Sequence, residues 1–350
     1  MKVNIGVIGC GAISGIYFKN LENMFDNCQI IAIADKDPQA AKKASEEWNI
    51  PILTNEELIE HPEIQIVLNL TTPDSHYKIC KQSILAGKHS YTEKPLSLTF
   101  AEGKELSDLA RQKGLMLGGA PDTFMGAGIS TCKKLIDDGE IGQILGAAAF
   151  YASPGHESWH PSPEFYYEIG GGPMFDMGPY YLTAMISLIG GVSEISGFAT
   201  MPSAERTITS QPKHGKKIKV EVPTSLFGIL RFENGALGSI TTSFDFTTHS
   251  HPYLEIYGSS GSLLVPDPNY FDGPVRMAKK GEEYKEIPLA FGFSENSRGL
   301  GISDMASCII SGGRPRASDN MTLHVLEIME GIHVSNDTKG IYKMTTKFQK

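Results

Sequence analysis

Cysteine is scarce and scattered in this chain. The five residues Cys10, Cys28, Cys80, Cys132 and Cys308 are odd in number, far apart and without a Cys-x-x-Cys pair. That pattern offers neither a disulfide framework nor a zinc site and suits a reducing cytoplasm. No apolar run approaches the ~18 residues of a membrane helix, and the first strand begins too early for a signal peptide, so neither membrane nor export is expected. Basic charge is in deficit as well: 31 Lys and Arg against 40 Asp and Glu leave a formal net charge of -9. Without a concentrated positive surface to replace counterions on phosphates, nucleic acid is not expected as a partner. The densest basic run, Lys213-His214-Gly215-Lys216-Lys217, reads as a solvated hairpin or loop. His249 and His251 read as strand-turn residues, and no third ligand accompanies them, so no metal is expected.

What is present is an ordinary globular composition, 41% hydrophobic and 20% charged over 350 residues. That length exceeds what one core usually fills, so two domains are expected. The opening segment Val3-Asn4-Ile5-Gly6-Val7-Ile8 suits a strand buried on both faces. It breaks at Gly9 and Gly11, and a helical pattern follows through Tyr17, Phe18 and Leu21. Glycine at 9 permits a tight turn, and glycine at 11 lets a diphosphate approach the chain without meeting a Cβ. The amides of the helix's first turn, at Ala12 and Ile13, then face the anion with the positive end of the helix dipole behind them. A second strand, Gln29–Ala34, ends in Asp35, about 20 residues beyond the turn, where a ribose hydroxyl needs an acceptor. Ser14 stands where the fingerprint has Gly or Ala, which keeps a small residue at the helix–strand contact. Asp35 repels a 2′-phosphate, so NAD is favoured over NADP, although Lys36 allows the latter.

Further strands at 64–70 and at His89-Ser90-Tyr91 deliver Thr71-Thr72-Pro73 and Thr92-Glu93-Lys94-Pro95 to the carboxyl edge, where open parallel sheets bind ligands. His76, on the first turn of the following helix, is as consistent with a capping or core role as with a cofactor contact. A helix at 99–112 and a strand at 115–119 close the domain, with Ala120-Pro121-Asp122 as the crossover.

The order of Gly9-x-Gly11, Asp35, Thr72-Pro73, His76 and above all Glu93-Lys94-Pro95 resembles the Gfo/Idh/MocA oxidoreductase family. The resemblance implies that Glu93 and Lys94 border the nicotinamide and that Lys94 is catalytic; Glu93 is also suited to bonding within its own loop. The chemistry is reasonable, since a lysine beside a cationic ring in a partly closed site has its own charge disfavoured. Such an amine can exchange a proton with a substrate hydroxyl near neutral pH.

The second domain starts with a helix at 129–138 and a strand at 143–151. Residues 152–168 then form a proline-rich loop holding His156, Trp159, His160, Phe165, Tyr166 and Tyr167. This loop serves equally as a sugar-facing wall, with Trp159 and His160 as substrate contacts, or as a hydrophobic plug over the sheet. Gly170-Gly171-Gly172-Pro173-Met174-Phe175-Asp176 with Tyr180 resembles the family's second signature. Residues four apart share one helix face, so Asp176 and Tyr180 are expected to address one cavity, although a helix cap also accounts for an Asp after glycines. The Asp–Tyr pair is similar to the glucose–fructose oxidoreductase and dihydrodiol dehydrogenase branch, which makes Lys94, Asp176 and Tyr180 the catalytic candidates and Trp159 and His160 further substrate contacts. Runs near 193–201, 224–232, 236–244, 251–258 and 261–265 alternate as strands, and two helices, at 294–311 and 322–335, close the chain.

The expected fold is therefore α/β: a doubly wound Rossmann domain over 1–120 that binds NAD(P), and an α+β domain over 121–350 with a large, mostly antiparallel open sheet for substrate and oligomer contacts. The resemblance implies a homodimer or homotetramer formed through that sheet. The expected activity is hydride transfer between the nicotinamide and a hydroxyl-bearing carbon of a sugar or polyol, in the cytoplasm. Two alternatives remain open: a glycoside hydrolase that retains NAD and works by transient oxidation, and a non-catalytic sensor of NAD and sugar.

Overall fold

In the computed structural model, which describes residues 2–348, the N-terminal chain alternates strand and helix: β1 (Val3–Ile8), α1 (Ser14–Asn23), β2 (Cys28–Ala34), α2 (Pro38–Trp48), α3 (Asn55–Glu60), β3 (Ile66–Asn69), α4 (Pro73–Leu85), β4 (His89–Thr92), α5 (Phe100–Gln112) and β5 (Leu117–Gly119). The strands form one sheet in the order β2-β1-β3-β4-β5 with every pairing parallel. Strands joined by helices are buried on both faces, hence the continuous apolar runs. In β1, Val3, Ile5, Val7 and Ile8 are all buried. Local signals set the helix starts: Pro38 and Pro73 occupy first-turn positions, and Thr54 and Thr99 each form a capping box with the Glu three residues on.

The second unit contains α6 (Ala127–Asp137), β6 (Ile144–Ala152), α7 (Gly172–Asp176), α8 (Gly178–Ile189), β7 (Val192–Thr200), β8 (Glu205–Thr207), β9 (Lys217–Lys219), β10 (Ser225–Phe232), β11 (Leu237–Ser243), β12 (Leu254–Gly258), β13 (Gly261–Val265), β14 (Val275–Lys279) and β15 (Lys285–Ile287). After them come α9 (Leu300–Ser311), α10 (Asp319–Thr338) and β16 (Tyr342–Lys343). The large sheet runs β15-β14-β13-β12-β6-β11-β10-β7-β16, antiparallel throughout except where β6 lies parallel to β11. The β10–β11 connection is the predicted turn at Glu233-Asn234-Gly235, with Gly235 at φ +89°. The basic run at 213–217 does lie in the β8–β9 hairpin, where Lys213 and Lys216 donate to Glu164 at 2.6 and 2.9 Å. Burial pushes the Glu164 carboxyl up, but these two lysines bring it down to about 2.

Two expectations about the C-terminal half need correction. The first of the last two helices starts at Leu300 rather than near 294, because Gly299, at φ +106°, sits in the left-handed region just before it. Moreover, Asn296–Leu326 belongs to the compact unit of the parallel sheet with the described residues up to Met125, while 126–295 and the described residues from Glu327 onward make up the other unit. The cause is a set of bonds between residues remote in sequence. Asn20 Nδ2 donates to the carbonyls of Asn296 and Arg298 at 2.7 and 2.8 Å, and Asp122 Oδ2 accepts from the amides of Gly299 and Gly301 at 2.9 and 3.0 Å. Helix α10 continues across the division.

Candidate active site

At the end of β1 the chain turns through Gly9, whose φ is +108° and whose missing Cβ would lie 2.6 Å from the Leu70 carbonyl carbon. No residue with a side chain fits there without moving the backbone after β3. At Gly11 an added Cβ would meet nothing within 4 Å, so its environment is open to an approaching group. Among the described residues no side chain caps α1, whose N-cap is Ile13 and whose neighbour Ala12 is exposed. The turn therefore presents main-chain amides and a helix dipole to an anion. Asp35, at the end of β2, is held in place beside it. Its Oδ2 accepts from the Cys10 amide at 2.6 Å and its Oδ1 from the Asp37 amide at 2.7 Å. Each carboxylate oxygen has a second lone pair for a ribose hydroxyl. Lys36 next to it is exposed. These residues fit a dinucleotide: an open approach at Gly11, an uncapped helix start and a pre-oriented carboxylate.

The next two strand ends are braced against one another. Asn69, fully buried at the end of β3, accepts from the Thr71 hydroxyl at 2.7 Å, while its carbonyl takes the Glu93 amide at 2.9 Å. Thr72 and Pro73 are the N-cap and first residue of α4. His76 is fully buried, with Nδ1 2.6 Å from the Pro95 carbonyl and Nε2 3.0 Å from that of Thr71. Burial lowers the pKa of this imidazole even though both carbonyls favour its protonated form. The ring thereby ties the loop after β3 to the loop after β4. The Glu93 carboxylate is taken up by α1 and by its own loop: Oε1 accepts from the Tyr17 hydroxyl at 2.7 Å and Oε2 from the Lys94 amide at 3.0 Å. Lys94 itself is half-buried, and its bond to Pro95 is cis. Asn69 and Tyr17 were not singled out from the sequence as site residues. Nothing local marks either one, since Tyr17 meets Glu93 from 76 residues away.

In the second unit, Gly170 and Gly172 have φ of +89° and +81°, and a Cβ on Gly171 would lie 2.5 Å from the Phe165 carbonyl oxygen. The glycines let the chain pass close to the 152–168 loop before α7. Asp176 is the last residue of α7 and Tyr180 lies in the first turn of α8, with Met177 at the junction. The expectation that one helix carries both is therefore corrected: Pro179, which has no amide hydrogen and falls in the first turn of α8, starts a new helix there. Asp176 is mostly buried, with a 13% exposed side chain, and Tyr180 is buried. The group facing Asp176 is one the sequence reading left without a role. His156 Nε2 lies 3.5 Å from Asp176 Oδ2.

Side chains of the loop that carries His156 differ in burial. Tyr167 is a plug, fully buried in a cluster with Ile208, Ile218, Val220 and Phe244. Trp159 instead stands 62% exposed, 5.3 Å from the rings of both His156 and His160. His160 Nδ1 accepts from the Ser162 amide at 3.0 Å, and burial lowers the pKa of its ring. Arg206, on β8, fixes the loop base by donating to Glu157 at 3.0 Å and to Asp245. His251 stacks on Phe150 with centroids 4.4 Å apart, and His249 meets the same ring at 4.9 Å, tilted by 51°. Among the described residues no helix is long and apolar enough to cross a membrane.

Comparison with known proteins agrees with this architecture. Residues 3–119 match the model of an oxidoreductase family with an NAD-binding Rossmann fold, and residues 129–264 match the Gfo/Idh/MocA C-terminal domain. The dTDP-3,4-didehydro-2,6-dideoxy-alpha-D-glucose 3-reductase of Saccharopolyspora spinosa is 25% identical over 80% of each chain. The trans-1,2-dihydrobenzene-1,2-diol dehydrogenase of Bos taurus is 25% identical over 83% of this chain and 81% of its own. A levoglucosan dehydrogenase solved with NADH superposes with a TM-score of 0.85 at 21% identity, covering 99% of this chain and 100% of that one, which establishes the fold. With both of its regions matched, this chain belongs to the Gfo/Idh/MocA family of NAD-binding oxidoreductases.

Proposed function

We propose that the chain is an NAD-dependent dehydrogenase of a sugar or polyol, and that Lys94, Asp176 and Tyr180 are its catalytic residues. Gly9, Gly11, Ala12, Ile13, Asp35, Lys36, Thr71, Thr72, Pro73, His76, Glu93 and Lys94 form or brace the cofactor site in this reading. The observation that carries it is the Asp35 carboxylate, held by two main-chain amides at the open glycine turn. A carboxylate there accepts from ribose hydroxyls and repels a 2′-phosphate, which favours NAD over NADP. The bound nicotinamide supplies the hydride acceptor for a C–H that bears a hydroxyl. Lys94 and Tyr180 are the two candidates for handling the hydroxyl proton, each able to act as acid/base or as electrostatic support. Asp176 accepts a substrate hydroxyl and orients the ring, while Trp159 and His160 offer flat faces to its C–H surfaces. Sugar and polyol substrates are supported by relatives named levoglucosan dehydrogenase, D-xylose dehydrogenase and myo-inositol 2-dehydrogenase.

The same reading includes a homo-oligomer formed through the large sheet. One face of that sheet exposes Phe198, Phe227, Ile229 and Leu237, with Phe227 directly opposite Phe198 in the β10–β7 register. A contiguous apolar face of this kind is what a second copy covers.

Levoglucosan, D-xylose and myo-inositol assayed with NAD and NADP by NADH absorbance test the proposal. Lys94→Met should lower turnover by about a hundredfold or more while NADH binding persists. Full activity in that variant refutes the catalytic assignment.

A further inference from the structure

The imidazole of His156 is more tightly confined than its place in a proline-rich loop suggests. It is only 6% exposed. Its ring stacks on Tyr166 at 3.7 Å with an interplanar angle of 11° and meets the edge of Phe244 at 4.6 Å. The backbone beside it is fixed as well. The His156 amide donates to the Tyr167 hydroxyl, the adjacent Glu157 side chain accepts from Arg206, and the Glu157 carbonyl accepts from the amides of Thr209 and Ser210 at 2.9 and 2.8 Å. Rings above and beside the imidazole leave it little freedom to turn.

The two ring nitrogens have different surroundings. Nε2 faces Asp176 Oδ2 at 3.5 Å. Nδ1 is buried and has no hydrogen-bond partner among the described residues. A neutral imidazole has one N–H to place. On Nδ1 that proton would be a buried donor without an acceptor, and the bare Nε2 lone pair would face a carboxylate. On Nε2 it points at Asp176, and the bare nitrogen left over is a weaker penalty than an orphaned donor. The surroundings therefore select the Nε2–H tautomer.

We propose that His156 is a positioning residue for Asp176: through Nε2–H it holds the carboxylate in the orientation that a substrate hydroxyl needs. The support passes from the β8–β9 hairpin through Arg206 and Glu157 to the loop backbone, and from the clamped ring to the carboxylate. At 3.5 Å the contact is long for a hydrogen bond, and it shortens when substrate engages the other side of the carboxylate. This role rests on the assignment of Asp176 to the site.

The test uses the full-length protein and three variants. His156→Phe keeps the ring stack and removes the donor, His156→Gln removes the stack and keeps an N–H donor, and Asp176→Asn removes the charge that is held. Activity is read with whichever of levoglucosan, D-xylose or myo-inositol is oxidised fastest with NAD. His156→Phe should lower kcat by about tenfold with NADH affinity and thermal midpoint unchanged, and His156→Gln should restore most of the loss. In an Asp176→Asn background, His156→Phe should cost nothing further, as expected for two groups that act as one. Equal losses in both backgrounds, or a His156→Phe enzyme as active as the parent, overturn the proposal. A fully active Asp176→Asn enzyme instead removes the site assignment, and this inference with it. A readout independent of turnover and of the variants' folding is the 15N spectrum of histidine-labelled parent protein: a protonated Nε2 on His156 is expected, and the Nδ1–H tautomer overturns the proposal.

Discussion

Replacing Asp35 with Asn separates two things this carboxylate does. Its oxygens each accept one main-chain amide, Oδ2 from Cys10 at 2.6 Å and Oδ1 from Asp37 at 2.7 Å. An asparagine has a single acceptor oxygen, so in either rotamer one of those amides faces an NH2 group. A hydrogen bond to a charged group contributes about 1.5–3 kcal/mol, so the free protein should lose roughly that much. For a unit of this size, that lowers the thermal midpoint by about 4–10 °C. The effect on nucleotide is separate: a neutral amide accepts less strongly from ribose hydroxyls and no longer repels a 2′-phosphate. NADH should bind about ten to a hundred times more weakly, and NADPH should lose much less or gain. The assay is calorimetry without nucleotide, followed by fluorescence titration with NADH and NADPH side by side. If the midpoint falls but both affinities change equally, Asp35 only braces the turn, and the argument for NAD preference fails.

Other perturbations test the surrounding structure. Glu327 is fully buried; burial pushes its carboxyl up, but bonds from the amides and hydroxyls of Thr345 and Thr346 at 2.5–2.8 Å bring it below the ordinary value. A depressed folded pKa gives stability that is present above the unfolded value near 4.5 and lost as pH falls through the folded one. The melting point of the parent should therefore drop more steeply below pH 4.5 than that of Glu327→Gln; parallel curves would contradict this. Asp122 behaves oppositely, since burial pushes its carboxyl up to about 6 against the Gly299 and Gly301 amides and the nearby Arg298. Ionising it costs stability as pH rises from about 4 to about 6, whereas an asparagine Oδ1 keeps both amide bonds. Asp122→Asn should melt higher than the parent at pH 8 and level with it at pH 4; the reverse order at pH 8 would refute the account. Phe227→Glu should convert the proposed homo-oligomer to monomers in light scattering while the monomer stays folded, because the change places charge on an exposed sheet face; an unchanged mass would move the interface elsewhere.

The sequence by itself determined whatever depends on neighbours in the chain. Alternating strand and helix with a glycine break at 9 and 11, an acid closing the second strand, and prolines or threonines at helix starts all act over a few residues. The parallel sheet and the open glycine turn after its first strand were legible for that reason. Spaced, alternating runs with Asn234-Gly235 between two of them announced most of the large sheet, though not the short β14, β15 and β16, whose few residues carry little pattern. Tertiary structure decided what depends on bonds between distant residues. Asn20 and Asp122 fix the chain near 296–301, so Asn296–Leu326 joins the parallel-sheet unit. The Asp176–Tyr180 spacing suggested a single helix face, but the junction at Met177 divides it between α7 and α8. The imidazole beside Asp176 comes from a loop 20 residues earlier and is held there by Tyr166 and Phe244. No period or motif encodes such a contact, because it exists only once the loop has folded back over the sheet.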